Sequence, residues 1–358
     1  MGSNGNSASF SWQFATPQDA GFAPDLSEKI DFGMRSGLLP NLHSIVIARH
    51  GKIAVERYYT GNDQNWGAPL GEVAHGPDTL HDARSVTKSI VSLLYGIALE
   101  RGQVPPPEAP LLTQFPRYAD LAADIKRARL TVAHALTMSL GTDWDETIPY
   151  TDPANSEILM ERAADRLRFV LGRPVMHEPG TKWVYSGGAS ALLGALIEQG
   201  TGQKLANFAT EALFGPLGIG QFEWHSGKDG VHSAASGLRL TARDLARIGQ
   251  LALDNGKAGG RQIVPEQWLE QSTLPRLPTG EGPMYGYQWW LGRAPVRAMN
   301  WEEQAWFGAF GNGGQRLFVM PSAGIVMAAF FGNYDRMDAW MFPGRLWWEI
   351  VLPAIQFS

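Results

Sequence analysis

The segment His81-Asp-Ala-Arg-Ser-Val-Thr-Lys-Ser89 decides how this chain is interpreted. It leads into an apolar helix predicted over residues 85–101, which Gly102 ends. Ser85 and Lys88 are three positions apart, so both side chains lie on one face of the first helical turn. A serine hydroxyl needs a neighbouring base to become a good nucleophile, and a lysine desolvated in a cleft can supply that base. The segment therefore predicts a nucleophilic Ser85 activated by Lys88.

The same residues also have a plain structural interpretation, in which Ser85 caps a helix and Lys88 is solvated. Ser-x-x-Lys arises by chance about once in a chain of this length. The motif is therefore weak by itself, although it occurs once here and falls at a helix start.

Three further segments follow in order, and together with the first they resemble the class C β-lactamase-related serine hydrolases. This superfamily includes class C β-lactamases, DD-peptidases, family VIII carboxylesterases and 6-aminohexanoate-dimer hydrolases. The resemblance spans nearly the whole chain and implies a β-lactamase-like fold with an acyl-enzyme mechanism. The matching segments are residues 81–89, 136–146, 178–186 and 236–247.

The family's second motif is Tyr-x-Asn, and the corresponding residues here are Tyr185-Ser-Gly187. The resemblance implies that Tyr185 relays the proton between serine and leaving group. The asparagine, which in β-lactamases contacts the substrate's amide, is replaced by Gly187. This departure argues against β-lactam specificity.

The third motif is Lys-Thr-Gly in β-lactamases, and alignment puts Ala309-Phe310-Gly311 in its place. Asn312 would then provide the second oxyanion-hole N–H beside that of Ser85. A glycine-rich hairpin without a catalytic part is the alternative interpretation. Because no Lys or His stands there to bind a carboxylate, an uncharged acyl substrate is favoured.

Several aromatic side chains near these motifs could line an apolar pocket, although most of the 13 tryptophans are better explained as core packing. Together with the motif positions they form the predicted substrate-binding set, which comprises Trp144, Tyr150, Gly187, Trp289, Ala309, Phe310 and Gly311.

Strand-like segments at both ends of the chain enclose a helical middle part. This order predicts an α/β (α+β) fold, with an antiparallel sheet flanked by helices and an all-helical lobe across a cleft. Residues 1–10 are predicted to be a disordered tail and residues 11–358 a single domain. Within that domain, residues 11–120 and 255–358 form the α/β lobe, and residues 121–254 form the helical lobe.

The composition excludes several other classes of protein. A net charge of −5 without long runs of one charge argues against nucleic acid as a partner. The longest apolar segments are too short to cross a bilayer, and no signal peptide is visible, which favours a cytoplasmic location over an exported mature form. There are no cysteines, and the eight histidines show no metal-binding spacing, so we expect neither a metal nor a cofactor.

The favoured function is that of a serine hydrolase acting on small, largely uncharged molecules, with esters preferred over amides because an ester has the better leaving group. An amide or oligomer hydrolase of the 6-aminohexanoate-dimer type is the first alternative, and a β-lactamase or DD-peptidase is the second. A non-catalytic binding protein on the same fold is the alternative from another class. The sequence does not indicate an oligomeric state.

Overall fold

A computed structural model describes residues 10–356 of the chain. The predicted disordered tail therefore lies outside the described residues, apart from Phe10. Within the described part the strands are β1 (Gln13–Phe14), β2 (Leu42–Arg49), β3 (Lys52–Tyr58), β4 (Thr60–Asn65), β5 (Ala68–Ala74), β6 (His81–Asp82), β7 (Glu223–Trp224), β8 (Leu238–Leu240), β9 (Lys257–Ala258), β10 (Arg261–Gln262), β11 (Leu277–Pro278), β12 (Met284–Tyr285), β13 (Trp290–Val296), β14 (Glu302–Gly311), β15 (Gln315–Met320) and β16 (Ile325–Phe331).

The helices are concentrated in the middle of the chain. They are α1 (Leu26–Arg35), α2 (Val86–Glu100), α3 (Ile125–Ala128), α4 (Val132–Leu136), α5 (Ser156–Arg162), α6 (Arg166–Gly172), α7 (Gly187–Thr201), α8 (Leu205–Ala209), α9 (Gly215–Leu217), α10 (Ala242–Leu253), α11 (Glu266–Ser272) and α12 (Met341–Arg345). Short 3₁₀ or π segments lie at Leu112–Gln114, Pro116–Ala123, Thr210–Phe214, Arg297–Met299, Pro321–Ala323, Leu346–Val351 and Leu352–Ala354.

A nine-stranded sheet organises the molecule, in the order β1-β3-β2-β16-β15-β14-β13-β12-β11. All neighbouring pairs are antiparallel except β1 with β3. The predicted hairpin around His50-Gly51 is confirmed as β2 and β3, and both turn residues have the positive φ that such a tight turn requires. The sheet with helices on its faces confirms the predicted fold class.

Helices cover both faces of this sheet, and the burial of β2 on both of its faces illustrates this arrangement. All of its residues are buried, and successive side chains point to opposite faces. Val46 and Ala48 join the apolar cluster that contains α2, α7 and α10, whereas Ile45 and Ile47 join the cluster that contains α1 and α12. A strand buried on both faces reads as a continuous apolar run, as the sequence of β2 does.

Helix α2 runs through the first of these clusters and is the predicted central helix. Thirteen consecutive residues from Val86 to Ala98 are buried. The close approach of α11 depends on Gly96, where a Cβ would lie 2.1 Å from the indole of Trp268. Because α2 is packed on all sides, its first turn is held rigidly at the edge of the cleft described below.

The sequence pattern also predicts elements that the structure changes. Apolar spacing predicts one helix over residues 156–170, but the chain turns at Ala163 and Asp165 caps α6 through the N–H of Arg168, so two helices form. A C-terminal helix is predicted from about residue 343 to 355, and it changes to π and 3₁₀ geometry after Arg345. A strand-like run predicts a strand over residues 287–291, which begins only at Trp290, and β4 and β5 are not predicted.

Candidate active site

Ser85 occupies the position just before α2, at the end of a short connection from β6. The preceding residue, Arg84, has a φ of 49°, a left-handed conformation that turns the chain sharply into the helix. Ser85 is 8% exposed and lines the main cleft of the molecule. The hydroxyl is thus presented to the cleft from a rigid helix start.

Lys88 lies one turn further along α2 and is buried beneath Ser85. Its Nζ donates to Ser85 Oγ at 3.0 Å and to the carbonyl of Ala235 at 2.9 Å. The side chain is 1% exposed. The pairing of Ser85 with Lys88 is therefore present in the fold, and the interpretation of Lys88 as a solvated side chain is wrong.

Tyr185 completes this group from the segment before α7. Its ring centroid is 4.7 Å from Lys88 Nζ, and its hydroxyl is hydrogen-bonded to both Ser85 and Lys88. Tyr185 is 100 residues from Ser85 in the chain, yet the three residues proposed from the motifs meet at one point of the cleft wall.

Two glutamates that the sequence did not single out as site residues stand behind this group. Glu157 from α5 accepts from Ser236 Oγ at 2.7 Å, and its other oxygen, Oε2, lies 3.9 Å from Lys88 Nζ. Glu146 accepts from Trp144 Nε1 at 2.6 Å, from Tyr150 Oη at 2.9 Å and from the backbone N–H of Gly187. Glu157 is buried, whereas Glu146 is half-buried and lines the cleft, and both carboxyl groups act on the pKa of the lysine.

Gly187 explains how Glu157 fits there. A Cβ at this position would lie 2.4 Å from Glu157 Oε2 and 2.8 Å from its Cδ. The glycine that replaces the family's asparagine thus leaves room for a carboxylate supplied by another helix. The only hint in the sequence was Gly187 itself, because nothing in the chain order links it to residue 157.

The buried charges set the protonation states in this group. Burial by itself lowers the pKa of the Lys88 amine, but Tyr185, Glu157 and Glu146 more than offset this effect and raise its pKa above the ordinary value. Burial also raises the pKa of the Tyr185 hydroxyl, and burial together with Glu157 raises the pKa of Glu146 to about 8. At neutral pH the site therefore holds a Lys88 ammonium and a neutral Tyr185 phenol, whereas the sequence predicted a neutral lysine.

The end of β14 lies against the segment that carries the nucleophile. A Cβ on Gly311 would be 2.6 Å from the carbonyl oxygen of Ala83, so only glycine allows this approach. Asn312 follows at once and lines the cleft together with Ser85. Its side chain donates to Asp335 Oδ1 at 2.9 Å and accepts from the Asp335 N–H at 2.9 Å. This pairing leaves the backbone as the part of Asn312 that can serve an oxyanion.

The cleft has a volume of about 1510 Å³. Of the predicted substrate-binding residues, Trp144, Tyr150, Phe310 and Gly311 line it. Gly187, Ala309 and Trp289 do not, which corrects their assignment as lining residues. Trp289 is fully buried against Phe307, and Trp290 lines the cleft instead, because consecutive residues at this strand point to opposite sides.

A cation stands beside Phe310, although the third motif lacks one. The guanidinium of Arg316 lines the cleft 4.4 Å from the Phe310 ring centroid. Its Nη1 donates to the carbonyls of Gly311 at 3.1 Å and Gln315 at 2.8 Å. Burial lowers its pKa to about 10, so it stays charged at neutral pH. This side of the cleft was predicted to be apolar. It consists instead of the Phe310 ring stacked on Arg316, whose guanidinium already donates hydrogen bonds to two backbone carbonyls.

Among the described residues, the histidine and acidic side chains that could hold a metal ion form one group, His43, Asp63, His75 and His81, none of which lines the cleft. In the same part of the chain no helix has the length and apolar character needed to span a bilayer.

Comparison with known proteins agrees with this geometry. A family model described as "Beta-lactamase" matches residues 42–337. A 6-aminohexanoate-dimer hydrolase from Paenarthrobacter ureafaciens is 23% identical over 91% of this chain and 78% of its own length. The esterase EstB from Burkholderia gladioli is 31% identical over 56% of this chain and 51% of its own length. A penicillin-binding protein homologue from Caulobacter crescentus superposes with a TM-score of 0.67 at 18% identity, over 94% of this chain and 97% of that one.

Proposed function

Because this chain belongs to the beta-lactamase family, we propose that it is a serine hydrolase that cleaves ester or amide bonds of small molecules through an acyl-enzyme on Ser85. The family contains both an esterase and an amide hydrolase among the relatives of this chain. The observation that carries the proposal is the 3.0 Å contact between Lys88 Nζ and Ser85 Oγ at the wall of a large cleft.

The first step requires Lys88 to lose a proton, since its raised pKa keeps the amine charged at rest. Glu157 Oε2, at 3.9 Å from Lys88 Nζ, is placed to receive that proton. The neutral amine then takes the proton of Ser85 as the hydroxyl attacks the substrate carbonyl. The backbone N–H groups of Ser85 and Asn312 stabilise the oxyanion that forms.

The second step expels the leaving group. The hydroxyl of Tyr185 donates its proton to the leaving oxygen or nitrogen, and the Lys88 ammonium replaces that proton. Water then attacks the acyl-enzyme, and its proton passes through Lys88 to Ser85 Oγ as the bond between Ser85 and the acyl group breaks. Glu157 returns its proton to Lys88, and the acid product departs with Ser85, Lys88 and Glu157 in their resting states. Within the protein, these protons pass between Ser85 and Lys88, whose Oγ and Nζ are 3.0 Å apart, between Lys88 and Glu157, at 3.9 Å, and between Lys88 and Tyr185.

Esters are the favoured substrates because an alkoxide or phenoxide leaves more easily than an amine. The aromatic lining from Trp144, Tyr150, Trp290 and Phe310 suits an apolar acyl or alcohol part. Amide hydrolysis is the second candidate, and it is supported by the 6-aminohexanoate-dimer hydrolase that aligns with 91% of this chain.

The test is intact-protein mass spectrometry after incubation with p-nitrophenyl butyrate, a fluorophosphonate and benzylpenicillin. Wild type should gain a covalent adduct and hydrolyse the ester, whereas Ser85→Ala should lose the adduct and at least about 1000-fold in kcat/KM. Ser89→Ala is the matched control, because Ser89 lies on the same helix but its hydroxyl donates to the carbonyl of Gln288.

Retention of ester turnover in Ser85→Ala would show that another residue is the nucleophile. Absence of an adduct from all three reagents in wild type would instead favour a non-catalytic binding protein on this fold.

A further inference from the structure

Three histidines and one aspartate form a second cluster of polar side chains, outside the lining of the cleft. His43 comes from β2, Asp63 from β4, His75 from the end of β5 and His81 from β6. One nitrogen or oxygen from each lies within 4.8 Å of the others. His43 is 0% exposed, and the side chains of the other three are 1% exposed. The mechanism above uses none of them.

Backbone carbonyls fix the tautomers of two of these rings. His81 Nδ1 lies 3.1 Å from the carbonyl oxygen of Asp82, and His75 Nδ1 lies 2.9 Å from that of Tyr59. A carbonyl oxygen can only accept, so each Nδ1 carries the hydrogen and each Nε2 presents a lone pair. A histidine held in this way by a carbonyl is oriented as metal-binding histidines are.

Both of these lone pairs face a carboxylate. His75 Nε2 is 3.4 Å from Asp63 Oδ2, and His81 Nε2 is 3.5 Å from Asp63 Oδ1. A cation held between these atoms would be bound by both histidines and by the carboxylate, whose side chains are all buried.

Three of the separations between the donor atoms are close to those of a tetrahedral zinc site. Zinc binds histidine nitrogen and carboxylate oxygen at about 2.0–2.2 Å in a tetrahedron, which puts neighbouring ligand atoms about 3.4 Å apart. The separations here are 3.0 Å between His43 Nδ1 and His81 Nε2, and 3.4 Å and 3.5 Å from Asp63 to the two histidines, and all four ligand atoms lie within 4.8 Å of one another. Three imidazoles with one carboxylate are also a ligand set that zinc accepts.

We propose that His43, Asp63, His75 and His81 bind one Zn²⁺ ion in a structural site. Four protein ligands close the tetrahedron and leave no position for water or substrate, so the ion stabilises the fold and takes no part in hydrolysis. The ion would join side chains from β2, β4 and β6 and from the residue that follows β5.

The proposed zinc site is connected to two segments of the active site, the one that carries Ser85 and the one that carries Asn312. His81 is four residues before Ser85, so the ion anchors the strand that delivers the nucleophile. Tyr334 Oη donates to Asp63 Oδ1 at 2.8 Å, and the next residue, Asp335, pairs with Asn312. The ion therefore fixes both segments that would form the oxyanion hole.

The test measures metal content and does not depend on catalysis. Untagged wild type is purified and analysed by inductively coupled plasma mass spectrometry, and about one zinc per chain is expected. The metal is then removed with dipicolinate, and ZnCl₂ or CoCl₂ is added back. Zinc should raise the Tm by several degrees, and cobalt should give the visible absorption bands of tetrahedral Co²⁺.

His75→Asn should lose most of the zinc and the cobalt bands. His50→Asn, the same change at an exposed turn histidine, should keep both. If His75→Asn does not fold, the cobalt spectrum and the Tm shift of the wild type decide the question. Wild type that carries no zinc, gives no tetrahedral cobalt spectrum and keeps its Tm on addition of ZnCl₂ would show that the cluster is a metal-free hydrogen-bond network.

Discussion

At the scale of single residues, the chemistry of this site depends on the charge state of Lys88. Burial favours a neutral amine, and the sequence motif by itself suggested one. The structure adds Glu157, Glu146 and Tyr185 around the amine, and their combined effect raises its pKa. The base for Ser85 is therefore generated by proton transfer during the reaction rather than present at rest.

Replacing Glu157 by glutamine should change the pH dependence of hydrolysis. In wild type, kcat/KM should rise with pH on the alkaline side as Lys88 loses its proton. The substitution removes a negative charge 3.9 Å from Nζ, so the pKa of Lys88 falls and this limb moves toward neutral pH. Because the proton acceptor is also lost, the plateau should be lower, by roughly tenfold. Full pH–rate profiles with p-nitrophenyl butyrate measure both effects, and an unmoved alkaline limb would contradict the role of Glu157.

Replacing Glu146 by glutamine should stabilise the protein in a pH-dependent way. Burial raises the pKa of Glu146 to about 8 in the folded chain, whereas the unfolded chain keeps the ordinary value of 4.5. Between these values the folded chain binds a proton that the unfolded chain lacks, so wild type loses stability as pH rises through this window. The amide binds no proton, so the advantage of Glu146→Gln should grow from pH 5 to 8, reach at most a few kcal/mol, and then level off. Urea unfolding at pH 5, 7 and 9 measures it, and an equal difference at all three would show that Glu146 does not titrate there.

At the scale of elements, the contact between α5 and α7 distinguishes this site from the family's Tyr-x-Asn pattern. Gly187 begins α7, and its missing side chain lets the Glu157 carboxylate from α5 approach the helix start. Helix α5 thus supplies a polar group, the Glu157 carboxylate, where the family's motif would place an asparagine side chain at the start of α7. The loss of the asparagine from α7 is therefore matched by a carboxylate from α5.

Restoring the motif with Gly187→Asn should impair the enzyme. The new Cβ would lie 2.4 Å from Glu157 Oε2, so the carboxylate must move away from Lys88. We expect kcat/KM to fall at least about tenfold, and Gly187→Asn combined with Glu157→Ala to recover part of the loss, since the clash is then removed. Gly202→Asn at the other end of α7 is the control, because a side chain there meets no atom within 4 Å. If the loss in kcat/KM of the double variant equalled the product of the losses of the two single variants, the two positions would act independently.

At the scale of the whole molecule, the cleft determines which substrates fit. Its wall combines aromatic rings with Arg316, whose guanidinium is held by two carbonyls and covered by Phe310. The guanidinium stays charged, but the two carbonyls and the Phe310 ring hold it in place and restrict its access to a substrate carboxylate. The division of the chain into an α/β lobe and a helical lobe remains a prediction.

Neutral esters should therefore be hydrolysed in preference to carboxylate-bearing β-lactams. We expect kcat/KM for p-nitrophenyl butyrate to exceed that for benzylpenicillin by at least about 100-fold. Arg316→Gln should leave this ratio within about threefold, and Arg293→Gln, at a more exposed position of the same cleft, is the control. Efficient penicillin turnover that disappears in Arg316→Gln would show that the arginine is the carboxylate-binding group after all.

Much of this protein could be predicted from its sequence because the signals are local. The first turn of α2 sets the spacing of Ser85 and Lys88, an apolar run predicted the buried helix, and alternating apolar residues on either side of His50-Gly51 predicted the β2–β3 hairpin. Residues one turn or one hairpin apart are neighbours in any fold that contains the element. The family resemblance then added Tyr185, whose distance from Ser85 along the chain no local rule could bridge.

Only the tertiary structure decided what surrounds these residues. Glu157 reaches Lys88 from another helix, Trp290 rather than Trp289 faces the cleft, and four residues from separate strands converge on the proposed zinc site. Burial and long-range approach determine these contacts, and with them the sign of the shift in the Lys88 pKa. The sequence alone indicated the proposed nucleophile and its helix, whereas the packing of distant elements determined the charge on Lys88, the residues that line the cleft and the contacts that hold the site in place.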